Sequence, residues 1–130
     1  MYQKRVLLVE DNRLLRRGLE ANLLAAGYEV AAPESIELAM RWAEAVPFDA
    51  LVTDWRLPVG HNGFQFLQRV RSRSPRAFAI LMSAEMDDEL ARQARSCHFD
   101  RVLLKPFRLA QVPVLLASHF DPPPAKEVVT

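Results

Sequence analysis

Cysteine, lysine and glycine are all scarce in this chain, and each scarcity excludes a class of protein. Cys97 stands alone among 130 residues, so no disulfide can close within the chain and no Cys/His metal spacing can be drawn. A reducing, cytoplasmic setting is the expectation, with Cys97 as a small buried hydrophobe. Only 4 glycines are present, and no glycine-rich turn follows the first apolar run, which excludes the phosphate cradle of a dinucleotide-binding half-domain. An excess of one charge is also missing. Lysine and arginine number 17 against 16 aspartates and glutamates, a formal charge of +1, too small for the electrostatic footprint of a nucleic-acid binder. The longest apolar runs, such as residues 6–9 and 77–82, fall far short of the ~18 residues that span a bilayer, and no signal-peptide pattern opens the chain. Neither nucleic acid nor membrane is expected as a direct partner.

What is present is ordinary globular composition, 50% hydrophobic and 25% charged, enough to build one core. Apolar runs of strand length recur at residues 6–9, 30–32, 50–52, 78–82 and 102–104, with helical spacing of leucine and alanine between them. That alternation predicts a parallel sheet with helices on both faces, and the unbroken apolarity of the first, third and fourth runs suits strands buried on both sides. The first helix is predicted over 12–26, with Asn12 as cap, Leu15, Leu19 and Leu23 recurring every four residues, Arg13, Arg16, Arg17 and Glu20 on another face, and Gly27 at the end. Further helices are predicted over 35–45, 63–72 and 87–96. Pro113 lacks an N–H, so a fifth helix through Ser118 must start late, near Val112, or kink. One domain over 1–120 is expected, followed by a proline-rich tail or linker over 121–130.

Chemistry in such a sheet collects at the carboxyl ends of the strands, beside the switch in strand order. The runs there end in Glu10 and Asp11, in Asp54, in Ser83, and in Lys105-Pro106. Three carboxylates held together repel or take up protons unless cations intervene, and Lys105 offsets only one charge. A divalent ion offsets the other two. An all-oxygen ligand set suits Mg²⁺, which completes its shell with water and phosphate oxygens, so a phosphoryl substrate is implied. Asp54 could accept the phosphoryl group, with the Ser83 hydroxyl and the Lys105 ammonium positioned on its oxygens. As isolated residues, Glu10 and Asp11 could instead serve the positive end of the first helix, and Asp54, Ser83 and Lys105 could be plain loop residues. His61, His98 and His119 read as surface or packing residues.

Val-Glu-Asp-Asn at 9–12, Asp54 in Val-Thr-Asp-Trp-Arg-Leu-Pro, Ser83 in Leu-Met-Ser-Ala and Lys105 in Leu-Lys-Pro-Phe together resemble the receiver domain of two-component response regulators, over residues 5 to about 119. The resemblance implies an α/β fold: a doubly wound, flavodoxin-like sheet of five parallel strands in the order 2-1-3-4-5. It implies Mg²⁺ held by Glu10, Asp11, Asp54 and the backbone carbonyl of Arg56, phosphorylation of Asp54 by a histidine kinase or phosphotransfer protein, and slow self-dephosphorylation. It also implies an output domain or target protein met through the face of the fourth helix, fifth strand and fifth helix, where Arg92, Arg95, Arg101 and Arg108 fall, and it leaves a homodimer open. The chain departs from the family's pattern in three places. Val102 stands where an aromatic switch residue is common, Cys97-His98-Phe99 replaces a Gly-Ala, and the loop after Asp54 is one residue longer than the common spacing, which predicts a bulge near Gly60. Arg56, two past Asp54, either leans towards Glu85 or the phosphoryl group or is a solvated surface arginine. Val102 keeps a receiver that only scaffolds, without phosphorylation, as the alternative. An aspartate-dependent Mg²⁺ phosphohydrolase is disfavoured, because its second acid would fall on Arg56.

Overall fold

Strand and helix alternate along the whole of the computed structural model, which describes residues 2–122. The strands are β1 (Arg5–Val9), β2 (Glu29–Ala31), β3 (Ala50–Asp54), β4 (Phe78–Ser83) and β5 (Arg101–Leu104). The helices are α1 (Arg13–Ala25), α2 (Ile36–Ala45), α3 (Gly63–Arg73), α4 (Asp88–Ser96) and α5 (Gln111–Phe120). The strands form one parallel sheet in the order β2-β1-β3-β4-β5. Nearly all of the proline-rich tail expected over 121–130 lies outside the described residues, from 123 onward.

Burial explains which runs became central strands. Every residue of β3 and β4 is buried, while β2 and β5, at the two edges, stay partly exposed. On one face of the sheet, Leu7, Leu51 and Ala79 pack against Ala39 and Ala43 of α2 and Phe66, Leu67 and Val70 of α3. On the other, Val6, Leu8, Val52 and Ile80 pack against Leu19 and Leu23 of α1 and Val112 and Leu116 of α5. Adjacent residues of each strand thus feed opposite layers, as the two-residue strand period requires.

The helix starts are set by their capping residues. The Asn12, Ser35 and Asp87 side chains accept from the N–H groups of Leu15, Leu38 and Leu90, and Asn62 with Gln65 forms a reciprocal capping box. The late fifth helix is observed: α5 begins at Gln111, so Pro113 falls in its first turn, where no intrahelical N–H is needed. One expectation is corrected. Arg16 does not share the face of Arg13 and Arg17 away from the leucines; it is 8% exposed and its Nη1 donates to the Glu10 carbonyl at 3.0 Å. It lies three residues before Leu19, on the side of the helix that faces the sheet.

Two departures from the family's pattern have visible backbone consequences. The extra loop residue is absorbed in a 3₁₀ turn at Pro58–Gly60, with Val59 at φ 57° and Gly60 at φ 77°. His98 adopts φ 65°, and its carbonyl accepts from Arg71 Nη1 at 2.6 Å while Arg71 Nη2 holds Asp100 at 3.0 Å. A left-handed conformation costs an L residue roughly 1–2 kcal/mol, offset here by that clamp. Gly63 answers a different demand, since a Cβ on it would lie 2.6 Å from the Asp54 carbonyl oxygen and 2.9 Å from the Thr53 methyl.

Two substitutions are expected to move stability in opposite directions in urea denaturation. Gly63→Ala should destabilise by about 1–3 kcal/mol, the usual cost of forcing a methyl into packed backbone. His98→Gly should stabilise by up to ~1 kcal/mol, because the backbone clamp from Arg71 is retained and the left-handed penalty is removed.

Candidate functional site

β1, β3, β4 and β5 end at the same edge of the sheet, and the polar residues at or just beyond their ends converge there. Asp54 is the last residue of β3 and Ser83 the last of β4, while Glu10 and Lys105 sit one position past β1 and β5. Glu10, Asp11 and Asp54 each offer a carboxylate oxygen within 4.8 Å of the others. Lys105 Nζ donates to Glu10 Oε1 at 2.6 Å and to Asp54 Oδ2 at 3.0 Å. The four side chains predicted to share a pocket therefore share one.

Their environments differ. The Glu10 side chain is 0% exposed, those of Asp54 and Lys105 are 12% and 22% exposed, and Asp11 is exposed. Glu10 Oε2 also accepts the Asn12 N–H at 3.1 Å, so both oxygens of this buried acid are bonded. Burial raises the Glu10 pKa above the usual carboxylate range, outweighing the hydrogen bonds from Lys105 and Asn12, and the Asp54 charge adds to the rise. Burial alone would lower the Lys105 pKa, but the hydrogen bonds to Glu10 and Asp54 outweigh it and the net shift is upward. The ammonium therefore stays charged at neutral pH.

Backbone packing fixes where Asp54 sits. The Trp55 N–H donates to Met82 O at 3.0 Å and the Trp55 carbonyl accepts from Gly63 at 2.9 Å, so the chain after Asp54 is held by β4 on one side and α3 on the other. Thr53 Oγ1 donates to the Asp54 carbonyl at 2.9 Å. Ser83 is 6% exposed; its hydroxyl donates to the Glu85 carbonyl at 2.6 Å and accepts the Glu85 N–H at 3.2 Å. Arg56 forms an isolated antiparallel bridge with Asn62, and its side chain reaches Glu85 at 3.6 Å with both partners exposed, an ion pair of little stabilising value. Arg56 thus leans towards Glu85 while staying a largely solvated side chain.

The residues missed from sequence are Arg16, Thr53 and Gly63. The position of Arg16 relative to Leu19 was a usable signal. Thr53 and Gly63 act through tertiary approach of α3 to the end of β3, which no local pattern reports. Val102 is half-buried beside Leu81, Leu90 and Ala94, and the Lys105–Pro106 peptide is cis.

The donor set suits a hard divalent cation: three carboxylates that converge without a nitrogen or sulfur ligand, Lys105 bonded to two of them, and an open side at Asp11. The acid triad and the lysine thus lie at the carboxyl edge of a doubly wound parallel sheet, where α/β proteins of this class place their ligand sites. The family model for the response regulator receiver domain matches residues 6–117, and the chain belongs to that family. It is 35% identical over 115 residues to the response regulator protein FleR of Pseudomonas aeruginosa, covering 88% of this chain and 24% of FleR. The receiver domain of the sensor histidine kinase PA1611 from the same species, solved with a magnesium ion coordinated in its active site cleft, is 29% identical. It superimposes with a TM-score of 0.74 over 89% of this chain and 96% of that one. The chemotaxis protein CheY4 of Vibrio cholerae superimposes with a TM-score of 0.77 at 26% identity, covering 88% of this chain and 97% of that one. The chain spans about half the length, or less, of the first curated relatives it matches. Among the described residues no helix is long and apolar enough to cross a membrane.

Lys105→Met in chelator-treated protein is expected to cost about 3 kcal/mol at pH 7, the scale for stripping a buried acid of its partner. The sign of the pH dependence is set by Glu10. Its folded pKa is raised, so the folded state takes up its proton first as pH falls, and a neutral acid needs no counter-ion. The gap between wild type and variant in urea denaturation should therefore shrink from pH 7 towards pH 4.5; a gap that stays constant would contradict the assignment.

Proposed function

We propose that this receiver accepts a phosphoryl group on Asp54 from the phosphohistidine of a kinase or phosphotransfer protein. The observation that carries the reading is the meeting of three carboxylates within 4.8 Å with Lys105 bonded to two of them. Asp54 Oδ2 is engaged by Lys105, and Oδ1 makes no hydrogen bond among the described residues, so Oδ1 is the attacking atom. The P–N bond of the donor breaks as the P–O bond forms, and the imidazole leaves with the electron pair. Lys105 then tracks the negative charge from carboxylate to phosphoryl oxygen, and the Ser83 hydroxyl turns from the Glu85 carbonyl to another phosphoryl oxygen.

Glu10, Asp11, Asp54 and the Arg56 carbonyl are the groups that would hold Mg²⁺, which when bound neutralises charge on the transferring phosphoryl group. With the ion and Lys105 present, a phosphorylated Asp54 leaves the site only slightly negative. Loss of the Ser83–Glu85 bond loosens the segment leading into α4, which biases the face made by α4, β5 and α5. Receiver domains work with histidine kinases and output domains, and that face, with Arg92, Arg95, Arg101 and Arg108 exposed on it, is the surface assigned here to the output partner or to a second copy. Residues 1–120 are assigned to the receiver unit and 121–130 to a tail or linker, and the unit is read as a cytoplasmic signalling domain that slowly dephosphorylates itself. The half-buried Val102 supports one second reading, a receiver that scaffolds without phosphorylation.

Incubation with acetyl phosphate and Mg²⁺ is expected to add one phosphoryl mass, mapping to Asp54, with none in Asp54→Asn or with chelator. Wild type that stays unlabelled would favour the scaffold. Arg56→Ala is expected to shorten the lifetime of the phosphoryl group by about two- to fivefold, the range an exposed ion pair supports. An unchanged lifetime rejects a role for the Arg56–Glu85 pair at the mouth of the site.

A further inference from the structure

α4 is the helix with the least beneath it. Its buried residues, Leu90 and Ala94, rest with Leu81 of β4 in a small cluster separate from both main layers of the core. The side chains that complete this cluster are Trp55, Phe99 and Val102. Elements resting on small satellite clusters are the ones that open first, so whatever supports α4 decides where it sits.

Trp55 alone in that cluster adjoins Asp54 in the chain. Its backbone is held on both sides, by Met82 O at 3.0 Å and by the Gly63 N–H at 2.9 Å, so its ring is carried on the same rigid strand end as the carboxylate. That ring meets Phe99 edge-on, with centroids 6.4 Å apart. Phe99 in turn belongs to the end of α4, because its N–H donates to the Ala94 carbonyl at 3.1 Å. Beside Trp55 lies a polar cleft of about 240 Å³ lined also by Arg56, Glu85, Asp87, Leu90 and Gln93, so one side of the indole is open towards the start of the helix. Val102, in the same cluster, has no atoms beyond its γ-methyls with which to span such a gap.

We propose that Trp55 is the positioning residue through which occupancy of the acid site is transmitted to α4. The proposal rests on the reading of Asp54 as phosphoacceptor. Two supports of α4 start from the site. The Ser83 hydroxyl, bonded to the Glu85 backbone, governs the segment before the Asp87 cap, and Trp55, through Phe99, governs the underside and the last turn. When the hydroxyl leaves Glu85, the first support is released, and the Trp55–Phe99 contact sets the position that α4 takes next. Coupling then runs through an aromatic pair anchored on β3, with no contribution needed from a large residue on β5.

Hydrogen exchange across residues 84–99, with and without acetyl phosphate and Mg²⁺, tests this in the full chain, with the phosphoryl mass at Asp54 read in the same samples. In wild type, exchange in α4 is expected to change by about fivefold or more, the lower end of ordinary coupling. Trp55→Leu should be labelled to the wild-type extent while its α4 response falls below about twofold, and Trp55→Phe, which keeps an aromatic edge for Phe99, should restore most of it. Phe99→Leu approaches the contact from the other side, carries the same expectation, and decides the matter if Trp55→Leu does not fold. A labelled Trp55→Leu or Phe99→Leu protein with the full α4 response overturns the proposal alone. Wild type that takes no label removes the phosphoacceptor reading and this proposal with it.

Discussion

The bond network of Lys105 with Glu10 and Asp54 is the constraint on which the rest of the structure turns. It joins the residues just past β1 and β5 to the end of β3, across 95 and 51 positions of sequence, and only a parallel sheet in the order observed brings those ends to one edge. Three carboxylates around one lysine leave unbalanced negative charge in a partly buried place, which water and a divalent ion relieve and which apolar packing cannot. The site is thus an electrostatic cost to the fold, one that the proposed function would explain. Glu10 shows the cost most plainly, as a fully buried side chain whose burial raises its pKa despite two hydrogen bonds.

Much of this was legible from residue order. Apolar runs of the right length marked the five strands, because central parallel strands need continuous apolarity, and helical spacing between them marked the helices, of which α1 to α4 start at Asn, Ser or Asp caps while α5 starts at Ala110 without one. The site residues were legible because each directly ends or succeeds an apolar run, where a parallel sheet exposes its chemistry. Asp54 was readable for that reason, and so was the late start of α5 from Pro113. Less was legible where tertiary approach decides. Arg16 looked like one of several surface arginines, yet the Glu10 carbonyl, six residues earlier, gives its guanidinium a partner at the sheet edge. The demand on Gly63 comes from the Asp54 carbonyl, a contact set by how α3 packs.

The departures from the family's pattern resolve into two kinds. The lengthened loop after Asp54 and the Cys97-His98-Phe99 turn are accommodated locally, through left-handed residues in each and, at His98, through the Arg71 clamp. The change at position 102 reaches further. A small residue on an edge strand leaves α4 resting on Leu81 and on the pair of aromatics contributed by the ends of β3 and α4. On the proposed reading, the weight of the switch is thereby moved towards the centre of the sheet, beside Asp54.

The proposed function depends on Glu10, Asp11 and Asp54 acting as one ion site within reach of Lys105. Paramagnetic broadening by substoichiometric Mn²⁺ in an amide-resolved NMR spectrum tests that directly, because the effect falls off steeply with distance from the ion. Signals of residues 10–12, 54–56, 83–85 and 105 are expected to vanish together while those of the opposite sheet edge persist, and excess Mg²⁺ should restore them. Broadening scattered over surface acids, or confined to the neighbourhood of one carboxylate, would contradict the account.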